Sequence, residues 1–127
     1  MKPAKPITRE TWRKEQDACH CPGCKRSSRR GAVMEVHEIV GGSDRAKTCK
    51  LTAFMLYLCH ACHFDLGSRP SQESLVKQLA WKLWGDPEHF NPQIVVKMWR
   101  PNCTAEFVVE IIDAVKLEYA KIVRDFA

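Results

Sequence analysis

The sequence contains no long apolar run, and this absence limits the classes of protein to which it can belong. None of its runs approaches the roughly 20 apolar residues that a membrane-spanning helix needs. The N-terminus, beginning Met1-Lys2-Pro3, has no apolar stretch behind its charges, so we expect no secretory signal. Internal repeats and low-complexity tracts are absent as well. We therefore expect a globular, cytoplasmic protein with no membrane partner.

Cysteine, by contrast, is abundant, with seven in a chain of 127 residues. In a reducing compartment, paired cysteines bind metal more often than they form disulfides, and an odd number argues against full pairing. Cys21-Pro22-Gly23-Cys24 and Cys59-His60-Ala61-Cys62 are two Cys-x-x-Cys pairs with 34 residues between them. Two residues between thiolates let both sulfurs reach one tetrahedral ion, and Pro-Gly suits the tight turn. The spacing predicts a structural zinc site with the ligands Cys21, Cys24, Cys59 and Cys62.

Three cysteines remain outside this predicted site. Cys19 is an alternative to Cys21 as a ligand, whereas Cys49 and Cys103 have no assigned role. A lone cysteine is more often a buried small apolar residue than a ligand. A redox pair is the other common use of Cys-x-x-Cys, but the accompanying thioredoxin-like pattern is missing.

Positive charge is concentrated at the N-terminal end of the chain. The formal net charge is +5, but residues 1–31 carry nine basic and three acidic side chains, a balance of about +6. The remaining residues carry eleven basic and twelve acidic side chains and are close to neutral. A basic segment beside a metal core suggests a polyanionic partner, most commonly nucleic acid, and a solubilising arm is the alternative.

The apolar patterns predict a mixed α and β chain. Residues 32–40 are rich in β-branched side chains, which favours a strand. A glycine-rich turn follows, and a second apolar run, 51–58, leads directly into the second cysteine pair. We expect a short helix from there to Leu66, ended by Gly67.

Further helices are predicted beyond this region. Ser71 is a good N-cap for a helix to about Trp84, with leucines recurring every four residues on one face. Cap-then-proline pairs at 86–87 and 91–92 predict a short turn and then a short helix over 92–99. Thr104 opens the last helix, whose apolar stripe we expect to pack in the core. This stripe consists of Val108, Ile112, Val115, Tyr119, Ile122 and Phe126.

Two histidine segments accompany the cysteine pairs. Glu35-Val36-His37-Glu38-Ile39-Val40-Gly41-Gly42 follows the first pair, and Leu58-Cys59-His60-Ala61-Cys62-His63 contains the second. This order of motifs resembles the HNH endonuclease superfamily, and most narrowly small phage-encoded HNH-like proteins. Those proteins continue with segments similar to residues 78–83 and 86–90 of this chain. The resemblance extends over residues 19–115.

The resemblance implies a fold and a domain organisation. The implied fold class is α+β, with a small zinc-stabilised ββα-metal core at 19–68. A basic N-terminal arm, 1–18, would precede the core, and a helical extension, 69–127, would pack on it. The two cysteine pairs would hold the structural zinc, and a separate magnesium or manganese ion would lie in the ββα cleft. For a phage protein, the compartment would be the host cytoplasm.

The implied reaction is metal-dependent hydrolysis or nicking of DNA. Such a reaction needs a base, a Lewis acid on the phosphate and groups that position the strand. The resemblance places His37 or Glu38 at the base position and makes His63 a ligand of the catalytic ion. The residues expected to contact nucleic acid are Arg29, Arg30, Arg45 and Lys47. His20 and His60 are expected to point away from the zinc, and His89 is expected to have no role in the site.

The first motif departs from the usual pattern of the superfamily, which often has His-His or Asp-His. If Glu38 is the base, His37 is left as a metal ligand. If His37 is the base, a carboxylate must come from elsewhere, and Glu35 lies on the same face of the strand. The asparagine of the HNH name has no counterpart, since Asn91 and Asn102 both lie outside the core.

The second motif also departs from the pattern. Relatives often have another histidine four residues after the one equivalent to His63, and here that position is Gly67. Asp65 is the nearest oxygen ligand, although its spacing does not suit the same helix face.

Three hypotheses therefore follow from the sequence. The first is an HNH-like DNA endonuclease. The second is an inactive HNH-derived zinc module that binds nucleic acid or a partner protein, and the last helix could serve such a partner or a homodimer. The third is a zinc-stabilised structural protein, which fits the cysteines but leaves the histidine motifs unexplained.

Overall fold

The computed structural model of the chain describes residues 21–24, 34–40, 51–64, 66 and 70–126, apart from the side chain of Phe126. Several predictions lie outside these residues. They are the N-terminal arm, the 41–44 turn and the roles assigned to Cys19, His20, Arg29, Arg30, Arg45, Lys47, Cys49, Asp65 and Gly67.

Two antiparallel strands form the sheet of the described part of the chain. Strand β1 is Met34–Glu38 and strand β2 is Met55–Cys59, and their register pairs Met34 with Cys59 and Glu38 with Met55. Both strands lie within the predicted apolar runs, to within one residue. The second run begins as a 3₁₀ turn, Thr52–Phe54, rather than as a strand. This pairing brings the second cysteine pair to the N-terminal end of β1.

The turn after β1 is fixed to the segment before β2. The amide of Ile39 donates to the carbonyl of Phe54 at 2.7 Å, and both side chains are fully buried. Val40 follows with φ of 59°, in the left-handed region that a β-branched residue seldom adopts. Because the Val40 side chain is also buried, the packing around it holds this strained backbone in place.

Four helices follow the sheet, and the predicted caps mark the starts of three of them. Helix α1 is His60–Phe64, α2 is Gln72–Gly85, α3 is Pro92–Trp99 and α4 is Ala105–Phe126. The side chains of Ser71, Asn91 and Thr104 each accept a hydrogen bond from a backbone amide in the first turn of the helix that follows. The predicted turn at 86–87 is a 3₁₀ turn, Pro87–His89. The α+β class is confirmed.

Helix α4 packs on α2 and α3 through one side. Val108 and Val115 of the predicted stripe are buried, and Ile112, Tyr119 and Ile122 are half-buried against the core. Ile111, which the predicted stripe omitted, is also buried, since it lies about one turn from both Val108 and Val115 on the same side of the helix. Val109, Leu117 and Val123 of the same helix are exposed. None of the helices in the described ranges is long and apolar enough to cross a membrane.

The sheet-facing side of α2 carries two buried polar residues that the leucine pattern did not predict. Gln78 and Lys82 are each 1% exposed, among the buried apolar residues of this helix. The ammonium of Lys82 donates to the carbonyl of Met55 at 2.7 Å and to the Asp86 carboxylate at 2.7 Å. The start of β2 is therefore tied to α2 by a charged side chain, in addition to apolar packing.

Candidate metal centre and histidine cluster

Four cysteine sulfurs meet at one point of the fold. The Sγ atoms of Cys21, Cys24, Cys59 and Cys62 all lie within 4.8 Å of one another. Sulfurs bound to one tetrahedral zinc ion at about 2.3 Å would be roughly 3.8 Å apart. All four cysteines are free thiols, and the Cys24–Cys59 sulfur distance of 3.3 Å is far longer than a disulfide bond. This cysteine cluster can bind a metal ion such as zinc without a large movement.

The cluster is assembled from a turn, a strand end and a helix start. Cys21 and Cys24 belong to a tight turn, Cys59 is the last residue of β2 and Cys62 lies in α1. The turn approaches the second pair so closely that a Cβ atom on Gly23 would lie 2.9 Å from the sulfur of Cys62. Glycine at this position is therefore required by the close approach of the turn to Cys62.

The thiols of the cluster cannot all ionise easily without a cation. Burial raises the pKa of Cys21, partly opposed by backbone amides, and burial also raises the pKa of Cys62. Burial acts in the same direction on Cys59, but the Cys62 amide and neighbouring thiols outweigh it and lower its pKa to about 7. One thiolate is favoured while its neighbours resist further negative charge. A divalent cation would remove this conflict, because it stabilises each thiolate that it binds.

A second group of polar side chains lies beside this site. The two oxygens of Glu35 accept hydrogen bonds from two histidines of α1, from His60 Nδ1 at 2.8 Å and from His63 Nδ1 at 2.8 Å. These hydrogen bonds lower the pKa of Glu35. Since Nδ1 of each ring carries the donated hydrogen, Nε2 holds the lone pair whenever the ring is neutral. A carboxylate–histidine contact of this kind orients histidines in many metal sites.

His37 is the fourth member of this group, and it lies two residues after Glu35 on the same face of β1. Its ring centre is 5.0 Å from that of His63, and the two rings meet edge to face at 66°. His37 is buried, and its Nε2 lies 2.8 Å from Oε1 of Gln78 on α2. Burial lowers the pKa of His37 to about 4; the hydrogen bond to Gln78 opposes this shift, and the nearby His63 adds to it. The ring is therefore neutral near neutral pH. We call Glu35, His37, His60 and His63 the histidine cluster.

The structure brings some of the predicted site residues together. His37 and His63 are neighbours, and Glu35 shares their side of the sheet, as the strand alternation predicted. Glu38 is adjacent to His37 in a regular strand, so its side chain lies on the other face, with its Oε1 buried. His60 is 66% exposed and bonded to Glu35, a contact that the sequence analysis missed. The three-residue spacing of His60 and His63, which places both on one face of a helix, could have predicted this contact.

The remaining histidine and cysteine of the described chain stand apart from both clusters. His89 binds the Asp86 carboxylate through Nδ1 at 3.0 Å, next to Lys82. Cys103 is half-buried in the turn before α4, where its amide donates to the Arg100 carbonyl. Trp99 is 5% exposed and donates through its indole to the Pro70 carbonyl.

Comparison with protein-family models, with curated proteins and with solved structures finds no match for this chain. The chemistry of the two clusters is therefore the basis for any statement about function.

Proposed function

We propose that this protein is a metal-dependent DNA endonuclease of the HNH type, with structural zinc in the cysteine cluster. The observation that carries the proposal is the contact between His37 of β1 and His63 of α1 beside the four cysteines, with ring centres 5.0 Å apart. A strand histidine facing a helix histidine next to a zinc-type cluster is the arrangement that the HNH resemblance implies.

The proposal includes a second divalent cation, with the imidazoles of His37 and His63 as its nitrogen donors. Two imidazoles that bind one ion at about 2.1 Å have ring centres roughly 5 Å apart, close to the separation of His37 and His63. Imidazole nitrogen and carboxylate oxygen suit magnesium less well than manganese or zinc, so manganese is the better first choice in an assay. Bound there, the ion would polarise a phosphate oxygen and stabilise the leaving oxygen.

The side chains themselves have distinct tasks in this proposal. His37 and His63 supply nitrogen donors to an ion or accept a proton from water, and Glu35 holds the His63 ring through Nδ1. Of the two candidates for the base, the geometry favours His37 over Glu38, because strand alternation directs Glu38 to the other face. DNA remains the proposed partner, with Arg29, Arg30, Arg45 and Lys47 as the proposed phosphate contacts.

Cleavage of supercoiled plasmid by zinc-loaded protein, with magnesium or manganese added, tests the proposal. We expect nicked or linear product from the wild-type chain and at least a hundredfold slower cleavage from His37→Ala and from His63→Ala. His89→Ala is the matched control, because His89 is bonded to Asp86 and lies outside the cluster. Folded, zinc-loaded protein that leaves duplex, nicked and branched DNA intact would rule out the endonuclease.

A second candidate is a zinc module that binds DNA without cleaving it. This candidate is favoured because polar atoms of the histidine cluster already have hydrogen-bond partners. Both oxygens of Glu35 are bonded to histidines, and His37 is bonded to Gln78. In that case DNA binding would weaken with added salt, would be unchanged by His37→Ala and would occur without cleavage.

A further inference from the structure

Gln78 is an unusual residue for its place in the fold. It lies in α2, 1% exposed, between the fully buried leucines Leu75 and Leu79. An apolar side chain would fill the position without the cost of burying an amide, and that cost is recovered only when the amide is hydrogen-bonded at both ends. The specific contacts of Gln78 therefore need an explanation beyond packing.

Both ends of the Gln78 amide are in fact bonded. Its Oε1 lies 2.8 Å from Nε2 of His37, and its Nε2 donates to Oγ of Ser74, one helical turn earlier, at 3.0 Å. The amide presents its oxygen, which is an acceptor only, to His37, so in this orientation the hydrogen of the contact is on the imidazole. The lone pair of the neutral His37 ring is then on Nδ1. A reversed amide would donate to His37 and accept from the Ser74 hydroxyl, and it would require the opposite ring form.

We infer that Gln78 is a positioning residue that holds His37 in the Nε2–H form, so that Nδ1 is the atom offered to an ion or a proton. The part of this inference that concerns the ion or proton rests on the proposed function. The part that concerns the ring hydrogen does not, since it rests on the orientation of the Gln78 amide between His37 and Ser74.

The same contact gives α2 a part in the site. The helix follows the cysteine pairs in sequence, and its predicted role was to pack on the core. Through Gln78 it fixes which nitrogen of the β1 histidine is available, while Glu35 does the same for the α1 histidine. Partners that hold the second nitrogen of a ligating histidine typically change metal affinity or activity 10–100-fold when removed.

Nitrogen-15 NMR of the histidine rings in the full-length, zinc-loaded chain tests the inference, because the two neutral forms of imidazole give different shift patterns. We expect the wild-type His37 ring to be in the Nε2–H form. Gln78→Leu should produce a mixture of both forms and slow any cleavage about 10–100-fold with zinc retained. Gln78→Glu, which keeps an acceptor at the same place, should preserve the Nε2–H form. Gln72→Leu, at an exposed position of the same helix, should change neither.

Two results would overturn the inference: an Nδ1–H ring in the wild-type chain, or an unchanged Nε2–H ring in Gln78→Leu. If Gln78→Leu does not fold, the wild-type and Gln78→Glu spectra still decide the question. A wild-type chain that shows the Nε2–H ring but cleaves no DNA would refute the endonuclease and leave the Gln78 assignment standing. If Gln78→Leu shows a mixture of the two His37 ring forms but cleaves DNA as fast as the wild type, Gln78 has no positioning role in the reaction.

Discussion

The cysteine cluster and the histidine cluster are adjacent in the fold but differ in how their side chains are satisfied. The four sulfurs of the cysteine cluster converge within 4.8 Å and are crowded around a common centre. The side chains of the histidine cluster are bonded to one another and to α2, through Glu35 and Gln78. A cation in the first group would stabilise its thiolates, whereas the polar atoms of the second group already have hydrogen-bond partners.

This difference predicts that substitutions in the two clusters will change the stability of the chain by different amounts. A site that requires its ion in order to fold contributes to the stability of the chain, so a change in it unfolds the protein. A network that is satisfied without an ion can lose a member and leave the fold in place. The following predictions are ordered from the largest expected effect on stability to the smallest, and each tests this difference.

Cys59→Ser should have the largest effect. Structural zinc binding contributes about 10–16 kcal/mol in zinc-finger peptides, comparable to the whole stability of a small domain. Because Cys59 also ends β2 at the pairing with Met34, loss of the metal should loosen the sheet itself. We expect loss of bound zinc and of the cooperative thermal transition, measured by metal analysis and circular dichroism.

Cys103→Ser is the matched control, since Cys103 is half-buried but lies outside the cluster. It should retain zinc and lose about 1 kcal/mol or less. Equal effects of the two substitutions would show that the cysteine cluster is not a metal site.

Gly23→Ala should have the next largest effect. The new Cβ would lie 2.9 Å from the Cys62 sulfur and 3.3 Å from its Cβ, so the turn or the second pair must shift. Overpacking of this kind costs about 1–3 kcal/mol. Urea unfolding should show this loss, together with weaker zinc binding in competition with a chelator.

Gly85→Ala provides a control with the opposite sign. A Cβ at Gly85, the last residue of α2, would meet nothing within 4 Å. Alanine is favoured over glycine in a helix by up to about 1 kcal/mol, so this variant should be as stable as the wild type or more stable. If both glycine substitutions are harmless, the approach of the turn to Cys62 is looser than described.

Lys82 should make the free energy of unfolding depend on pH in alkaline solution. This dependence has to be measured before variants of the two clusters are compared there. Burial lowers its pKa from 10.5 to about 8, although Asp86 opposes this shift. Between these values the unfolded chain binds the proton more tightly than the folded chain, so stability should rise with pH. From about pH 8 to about pH 10 the rise should be about 2 kcal/mol. Urea unfolding of the wild type should show this slope, and Lys82→Met should be nearly flat.

Much of this fold could be predicted from local sequence signals. Caps at Ser71, Asn91 and Thr104 marked helix starts, because a side-chain oxygen satisfies an amide that the helix leaves free. The burial of Gln78 and Lys82 could not be predicted in this way. Their burial depends on partners in distant strands, His37 and the Met55 carbonyl, and no local period records such partners.

The site was predictable in a similar, partial way. The spacing within each cysteine pair predicted the cysteine cluster because two intervening residues suffice to bring two sulfurs to one ion. The histidine cluster was harder to predict, since it depends on the register that places β1 beside α1. Glu35 was recognised as sharing the face of His37, but its bonds to two histidines required the folded arrangement.

Glu35→Gln should have the smallest effect on stability and therefore gives the sharpest comparison of the clusters. The carboxylate is partly exposed, and ion pairs of this kind contribute little to folding. We expect the melting temperature and zinc content to stay near the wild-type values, while the ring NMR signals of His60 and His63 change and cleavage slows. Glu73→Gln, in the first turn of α2, should change none of these properties. Loss of zinc from Glu35→Gln would instead show that the two clusters are one unit, since His60 and His63 each adjoin a cysteine of the cysteine cluster.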